Sequence, residues 1–284
     1  GCPSHCWLKG GLPKTKKPKP GVVSGLPPPR PALDVARVKA PSQAAEGPNS
    51  CFCWSLMLPF GGEMELIKMQ HSIHASIFAC DAYTVYSNKS LTVAPGLETK
   101  VVNVDLTVKF GGDSYSALNT WIFIAVWKQV IEDGWHTIYP WVVKVDPDAV
   151  FFVDRLRPVL AKHAGVGYIN NCRFGLHGPI EVLASSTLKT LKEDYEASWD
   201  GKAPKECVKK LHFGQWGEDF FLSQCMQKVY HIRPQTDENL MCEAHCSCKD
   251  WYWCADSSER VTYHPFKRAD MYKQCMANAM ALAP

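Results

Sequence analysis

WVVKVDPDAVFF, Trp141–Phe152, decides how this chain is read. A run rich in Val ends in two aspartates around a proline, and apolar residues resume at once. A continuous apolar run of this length reads as a buried strand. In open α/β sheets the carboxyl ends of the strands form the ligand-binding edge. Asp146 and Asp148 therefore fall at the lip of a sheet, in a turn stiffened by Pro147. Two carboxylates at i and i+2 can share a divalent cation, directly or through water. Mn2+ and Mg2+ take oxygen ligands and leave positions for substrate phosphates. The alternative is that the same acids cap the helix that follows.

The flanking sequence alternates strand and helix. CFCWSLMLP (Cys51–Pro59) is a second apolar run and reads as a buried strand. Glu63–Cys80 has apolar residues at helical spacing, namely Met64, Ile67, Ile73 and Ile77. AYTVYSN (Ala82–Asn88) and LETKVVNVD each carry a strand, and Leu118–Glu132 reads as a strong helix. PDAVFFVDRLRPVLA turns into a short helix. GVGYINNC reads as a strand, Gly178–Ala197 as a strand running into an amphipathic helix, and Trp216–Val229 as a helix that begins in acids. This order predicts an α/β fold, a three-layer sandwich with a mostly parallel central sheet. No internal repeat is visible.

Length and charge narrow the function. The chain has 284 residues and 46% hydrophobic content, enough for a substantial core. Residues 1–50 carry eight Lys/Arg and two acids, +6, which leaves −3 for the rest of a chain whose net charge is +3. The body thus offers no electrostatic case for nucleic acid. Residues 1–50 also hold ten of the twenty prolines, so they are expected as an extended basic tail or linker. The other reading of the tail is a segment that binds a partner protein or a membrane surface, with Cys2 and Cys6 stapling its tip. The start at Gly1 reads as a processed or trimmed product. No run of 18 uncharged apolar residues exists, so no transmembrane helix is expected.

Thirteen cysteines point to disulfides and an oxidising compartment, and the odd number leaves at least one thiol unpaired within the chain. Zinc is the alternative, with Cys242, His245, Cys246, Cys248 and Cys254 as ligands, but their spacing lacks the paired C-x2-C of a ribbon or finger. Residues 242–284, rich in Cys, Trp and Tyr, read as a stapled cap.

Two further stretches carry chemistry. In WGEDFF, Glu218 and Asp219 open a helix. Acids in a first turn are ordinary, yet a carboxylate held in a partly apolar pocket is also a general base. In VTYHPFK, His264 reads either as a satisfied core residue or as the imidazole that completes a metal site begun by two carboxylates.

The order KVDPDAVF, then YINNCRFGLHGPIEVLASSTLKTL, then GEDFF, then HPFK resembles the GT-A (nucleotide-diphospho-sugar transferase) glycosyltransferases. Within them it is most similar to the fringe and β-1,3-galactosyltransferase-like group and to cysteine-rich algal members. The resemblance covers about residues 51–275. It implies a nucleotide-binding half at 51–150, an acceptor half at 151–241 and the cap at 242–284. It implies Mn2+ or Mg2+ held by Asp146, Asp148 and His264 against the donor diphosphate. It also implies Asp219, or Glu218, as catalytic base, and inverting transfer of a sugar to a glycan or protein hydroxyl in the Golgi lumen. On the same resemblance Arg173 and His177 lie in a segment facing the site, as surface contacts before any catalytic role, and Trp216 is either core or a ring that stacks on a sugar. Two readings stand beside it. One is a catalytically inactive accessory or scaffold subunit of a larger organelle or thylakoid complex, anchored by its tail. The other is a lectin-like module using CSCKDWYWC.

Overall fold

A sheet of seven strands runs through the structure, a computed structural model that describes residues 47–113, 115–246, 248 and 250–282. Residues 1–46 of the expected tail, Cys2 and Cys6 among them, lie outside these.

The sheet strands are β1 (Cys51–Leu56), β2 (Ala82–Ser87), β3 (Lys100–Val101), β4 (Trp141–Val145), β6 (Tyr168–Asn170), β7 (Ile180–Ala184) and β8 (Gln235–Thr236). Their order is β8-β6-β7-β4-β1-β2-β3. Every pairing is parallel except the two made by β7. From β1 the chain goes to β2 on one side, and β4 later pairs on the other. β1 and β4 thus flank the point where strand order reverses, and the crevice at their carboxyl ends is the binding position for this topology.

Strand alternation divides the core into two. Cys51, Cys53, Val143, Val145 and Val182 face one layer, where they meet Ile67 of α1 (Glu63–Ser72) and Leu156 and Leu160 of α3 (Val153–Lys162). Phe52, Trp54, Val142 and Leu183 face the other. There they pack on Trp127 of α2 (Thr120–Glu132), Leu188 of α4 (Ser185–Glu196) and Phe221 of α5 (Glu218–Gln224). This is the α/β three-layer sandwich, mostly parallel, that the strand–helix order predicted. A two-residue strand, β5 (Val150–Phe151), follows the DPD turn and pairs antiparallel with β9 (Thr262–Tyr263). A smaller cluster under the cap joins Tyr263 and Phe266 to Tyr272 and Cys275 of α6 (Ala269–Met280).

The predicted helix over Glu63–Cys80 is shorter than its periodicity. It stops at Ser72, and a 3-10 turn covers Ser76–Ala79. His74 and Ser76 adopt left-handed φ of 50° and 57°. The break lets Ile77 and Phe78 reach the core beneath β2.

Five disulfides join ten of the described cysteines: Cys53–Cys80, Cys172–Cys246, Cys207–Cys225, Cys242–Cys248 and Cys254–Cys275. The cysteines considered for zinc are all so paired. The set points to an oxidising compartment. Cys51 is the free thiol among the described residues, and burial together with the nearby Asp81 charge pushes it up to about 12, so it is inert. No described helix is long and apolar enough to cross a membrane.

Candidate active site at the carboxyl edge of the sheet

β4 ends where the sequence predicts, and the backbone then turns sharply. Asp146 N donates to Pro179 O, Ala149 N to Asp146 O, and the Gln70 amide to Pro147 O at 2.7 Å. The turn is therefore held from β7's side and from α1. The β5–β9 pairing sets Tyr263 opposite Val150, which brings the next residue, His264, alongside Asp148. His264 Nε2 lies 3.3 Å from Asp148 Oδ1.

Asp146, Asp148 and His264 each offer a ligand atom, and these atoms all lie within 4.8 Å of one another. Two carboxylate oxygens and an imidazole nitrogen suit a divalent ion that prefers oxygen with some nitrogen. The side chain of Asp146 is 29% exposed, which leaves an open side for a substrate oxygen. The residues present fit Mn2+ or Mg2+ on these grounds. Without an ion, burial pushes His264 down but Asp148 and Glu243 outweigh it, raising it to about 9. Burial pushes Asp148 up, and the His264 contact brings it below its ordinary value. Close by, burial and the charges of Asp146 and Asp148 raise Glu63 to about 7, against the Leu58 N–H that its carboxylate accepts.

Glu218 and Asp219 are adjacent and line the same cavity, but they differ in burial and in partners. The loop before them is fastened to the start of α2: Glu218 N donates to Asn119 Oδ1 and Thr120 Oγ1 to Trp216 O. Glu218 is buried and accepts the indole N–H of Trp127 at 2.8 Å. Asp219 lines a cavity of about 140 Å3 that also includes Lys144, Asp146, Gly178 and Glu218. Its Oδ2 accepts from Gly178 N at 3.1 Å and lies 3.4 Å from His177 Nδ1. A Cβ on Gly217 would stand 3.0 Å from Asp219 Oδ1, so glycine leaves that carboxylate room. Burial pushes Asp219 up, but the His177 contact brings it below its ordinary value, so it is ionised at neutral pH.

Lys144, next to the DPD turn, is almost fully buried. Its ammonium donates to Gly178 O and lies 3.1 Å from Glu181 Oε1, 3.2 Å from Asp146 Oδ1 and 3.9 Å from Glu218 Oε2. Burial works against its charge, but Asp146, Glu181 and Glu218 outweigh it and hold the lysine protonated. Glu181, buried opposite Lys144 on β7, is raised well above its usual range by burial and by the Glu218 charge.

His177, read from the sequence as a surface contact, belongs to the site. Its Nε2 lies 2.7 Å from Glu243 Oε2 while Nδ1 faces Asp219. Arg173 is exposed and lies over the Phe174 ring. Trp216 is half-buried, donates to Asp113 and packs edge-on against Phe220. Sequence reasoning missed Lys144, Glu181 and Glu243. For the first two, charged residues inside otherwise apolar strands were the available signal.

No family model matches this chain, and no curated protein matches it. One solved structure to which it is similar is a glycosyltransferase involved in the glycosylation of the major capsid of PBCV-1. The TM-score is 0.41 with 10% identity, over 80% of this chain and 99% of that one.

Proposed function

We propose that this protein is a metal-dependent transferase that moves a sugar from a nucleotide-sugar donor to an acceptor hydroxyl. In detail, we read it as an inverting GT-A enzyme of the fringe and β-1,3-galactosyltransferase-like kind, working in the lumen of the secretory pathway. The observation that carries this is the convergence of Asp146, Asp148 and His264 at the sheet's strand-reversal point, with Asp219 facing the adjoining cavity.

Asp146, Asp148 and His264 Nε2 would hold Mn2+ or Mg2+. When bound, the ion supplies positive charge against the donor's diphosphate as it leaves. The chain's own groups do the rest. Asp219, kept ionised by His177 and aimed by the Gly178 N–H, takes the proton of the acceptor hydroxyl. The acceptor oxygen forms a bond to the anomeric carbon as the bond from that carbon to the diphosphate oxygen breaks, inverting the centre. Lys144, 3.2 Å from Asp146 Oδ1, holds that carboxylate in place.

The test uses purified protein, Mn2+ and a panel of UDP-hexoses. Mn2+-dependent release of UDP, abolished by Asp148→Ala, is expected. Absence of both Mn2+ binding and turnover with every common nucleotide-sugar would overturn the reading.

A further inference from the structure

Five side chains of alternating sign run from the candidate metal ligands to the candidate base. His264 Nε2 is 3.3 Å from Asp148 and its Nδ1 is 3.2 Å from Glu243 Oε2. The Nδ1 contact is close enough for an ion pair but off the line of a hydrogen bond. The same Glu243 oxygen is 2.7 Å from His177 Nε2, and His177 Nδ1 is 3.4 Å from Asp219. We propose that Glu243 is a positioning residue that couples the two halves of the site, one carboxylate oxygen orienting both His264 and His177. This rests on the metal-site reading above.

Glu243 is built into place rather than met by chance. Cys242 N donates to Thr262 O and His264 N to Cys242 O, so the cap segment runs alongside β9 and delivers residue 243 beside His264. The backbone N–H groups of Cys246 and Cys248 both converge on Glu243 O. The Cys242–Cys248 disulfide closes this loop, and Cys172–Cys246 ties it to the segment that leads to His177. On that segment the Asn171 side chain clamps the His177 backbone, accepting from its N–H at 2.8 Å and donating to its carbonyl at 2.7 Å. Each ring is thus fixed at its backbone and given one direction at its tip.

The consequence is a choice of nitrogen. A histidine ligates through one ring nitrogen, and a carboxylate at the other fixes ring orientation and tautomer. At His264 the Glu243 oxygen stands beside Nδ1 as a charge rather than as a hydrogen-bond acceptor, and leaves Nε2 for the ligand side. On His177 it takes Nε2 and leaves Nδ1 for Asp219. Loss of such an outer partner typically costs about 10–100-fold in metal affinity.

The test is a double-mutant cycle on the full chain with Mn2+ alone as probe, read by titration calorimetry or by the loss of the free Mn2+ paramagnetic resonance signal. Glu243→Gln should weaken Mn2+ binding by about 10–100-fold while thermal unfolding shows a folded protein. His177→Ala, which touches no proposed ligand, should weaken Mn2+ binding several-fold in the wild-type background and add nothing in the Glu243→Gln background. Should Glu243→Gln not fold, the His177→Ala comparison carries the test by itself. Wild-type affinity in either single variant, or simple additivity of the two, overturns the coupling while leaving the metal site intact. If the unmodified protein does not bind Mn2+, the functional reading falls together with this one.

Discussion

Trp127 donates its indole N–H to Glu218 Oε1 at 2.8 Å, deep between α2 and α5. That bond separates two neighbouring acids into different tasks. Glu218, which also lines the cavity, satisfies a buried donor, and Asp219 is the more exposed of the two acids there. Asp219→Asn should therefore cut transfer by about 10²–10⁴-fold, the range for loss of a general base, with little change in melting temperature. Glu218→Ala should lower stability by about 1–3 kcal/mol by orphaning the indole N–H. Scanning fluorimetry and UDP release, measured on both variants, separate the two. A fully active Asp219→Asn enzyme would remove Asp219 from the chemistry.

Lys144 is the counter-ion for a buried carboxylate cluster rather than a surface lysine. Removing one partner from a buried ion pair leaves an uncompensated charge and costs about 3–5 kcal/mol. Lys144→Met should lose stability of that order by chemical denaturation. Adding Glu181→Gln should restore part of it, since Glu181 is the nearest carboxylate, at 3.1 Å. A double variant no more stable than Lys144→Met would show that the cluster does not depend on charge balance.

Much of the sheet was legible because its strands are buried on both faces and so read as continuous apolar runs. CFCWSLMLP and WVVKVD became β1 and β4, and Leu118–Glu132 became α2 over Thr120–Glu132. Asp146, Asp148 and His264 were legible as candidates from residue type, position and resemblance, and the structure brings them together. Glu243 was not legible. It lies in CEAHCSC, where the cysteines and His245 draw attention to metal or disulfide chemistry, and its role depends on a pairing between cap and β9 that no local pattern encodes. His177 was undervalued for the same reason. Its partners, Asp219 and Glu243, are 42 and 66 residues away in sequence. The division between Glu218 and Asp219 was also hidden, because both fit a first helical turn and only packing against Trp127 distinguishes them.

The His264–Glu243–His177 contacts set a pH signature for the metal-free protein. Burial lowers both imidazoles, but their carboxylate neighbours outweigh it and hold each at about 9, above the unfolded value near 6.5. A folded pKa above the unfolded one gives stability that is fully present below about 6.5 and lost as pH rises through 9. Burial pushes Glu243 up, but the two histidines bring it to about 2, so its contribution is present above about 4.5 and lost as pH falls through 2. The cluster's contribution is therefore greatest between about pH 4.5 and 6.5. In EDTA, the gap in melting temperature between wild type and the His177→Ala/His264→Ala double variant should shrink by a few degrees from pH 6.5 to 9. A gap constant across that range would mean that the histidines are not held charged.

The disulfide Cys172–Cys246 offers a test of how the cap is fastened. It spans a sequence separation of 74 and ties the segment after β6 to the loop that carries Glu243. Chain-entropy reasoning for a closed loop of that size predicts roughly 4 kcal/mol of stabilisation, and removal of native bridges commonly costs about 2–5 kcal/mol. Cys172→Ser/Cys246→Ser should lose stability in that range by denaturant unfolding under oxidising conditions. Cys207→Ser/Cys225→Ser, which opens a separation of only 18 on the opposite face of the sheet, should lose less by the same reasoning. The two losses differ in their effect on the site. Only the Cys172–Cys246 variant frees the loop between the cap and His177, so only it should also weaken Mn2+ binding. Equal Mn2+ affinity in both variants would show that β9 and the Cys242–Cys248 loop hold Glu243 in place without the bridge to Cys172.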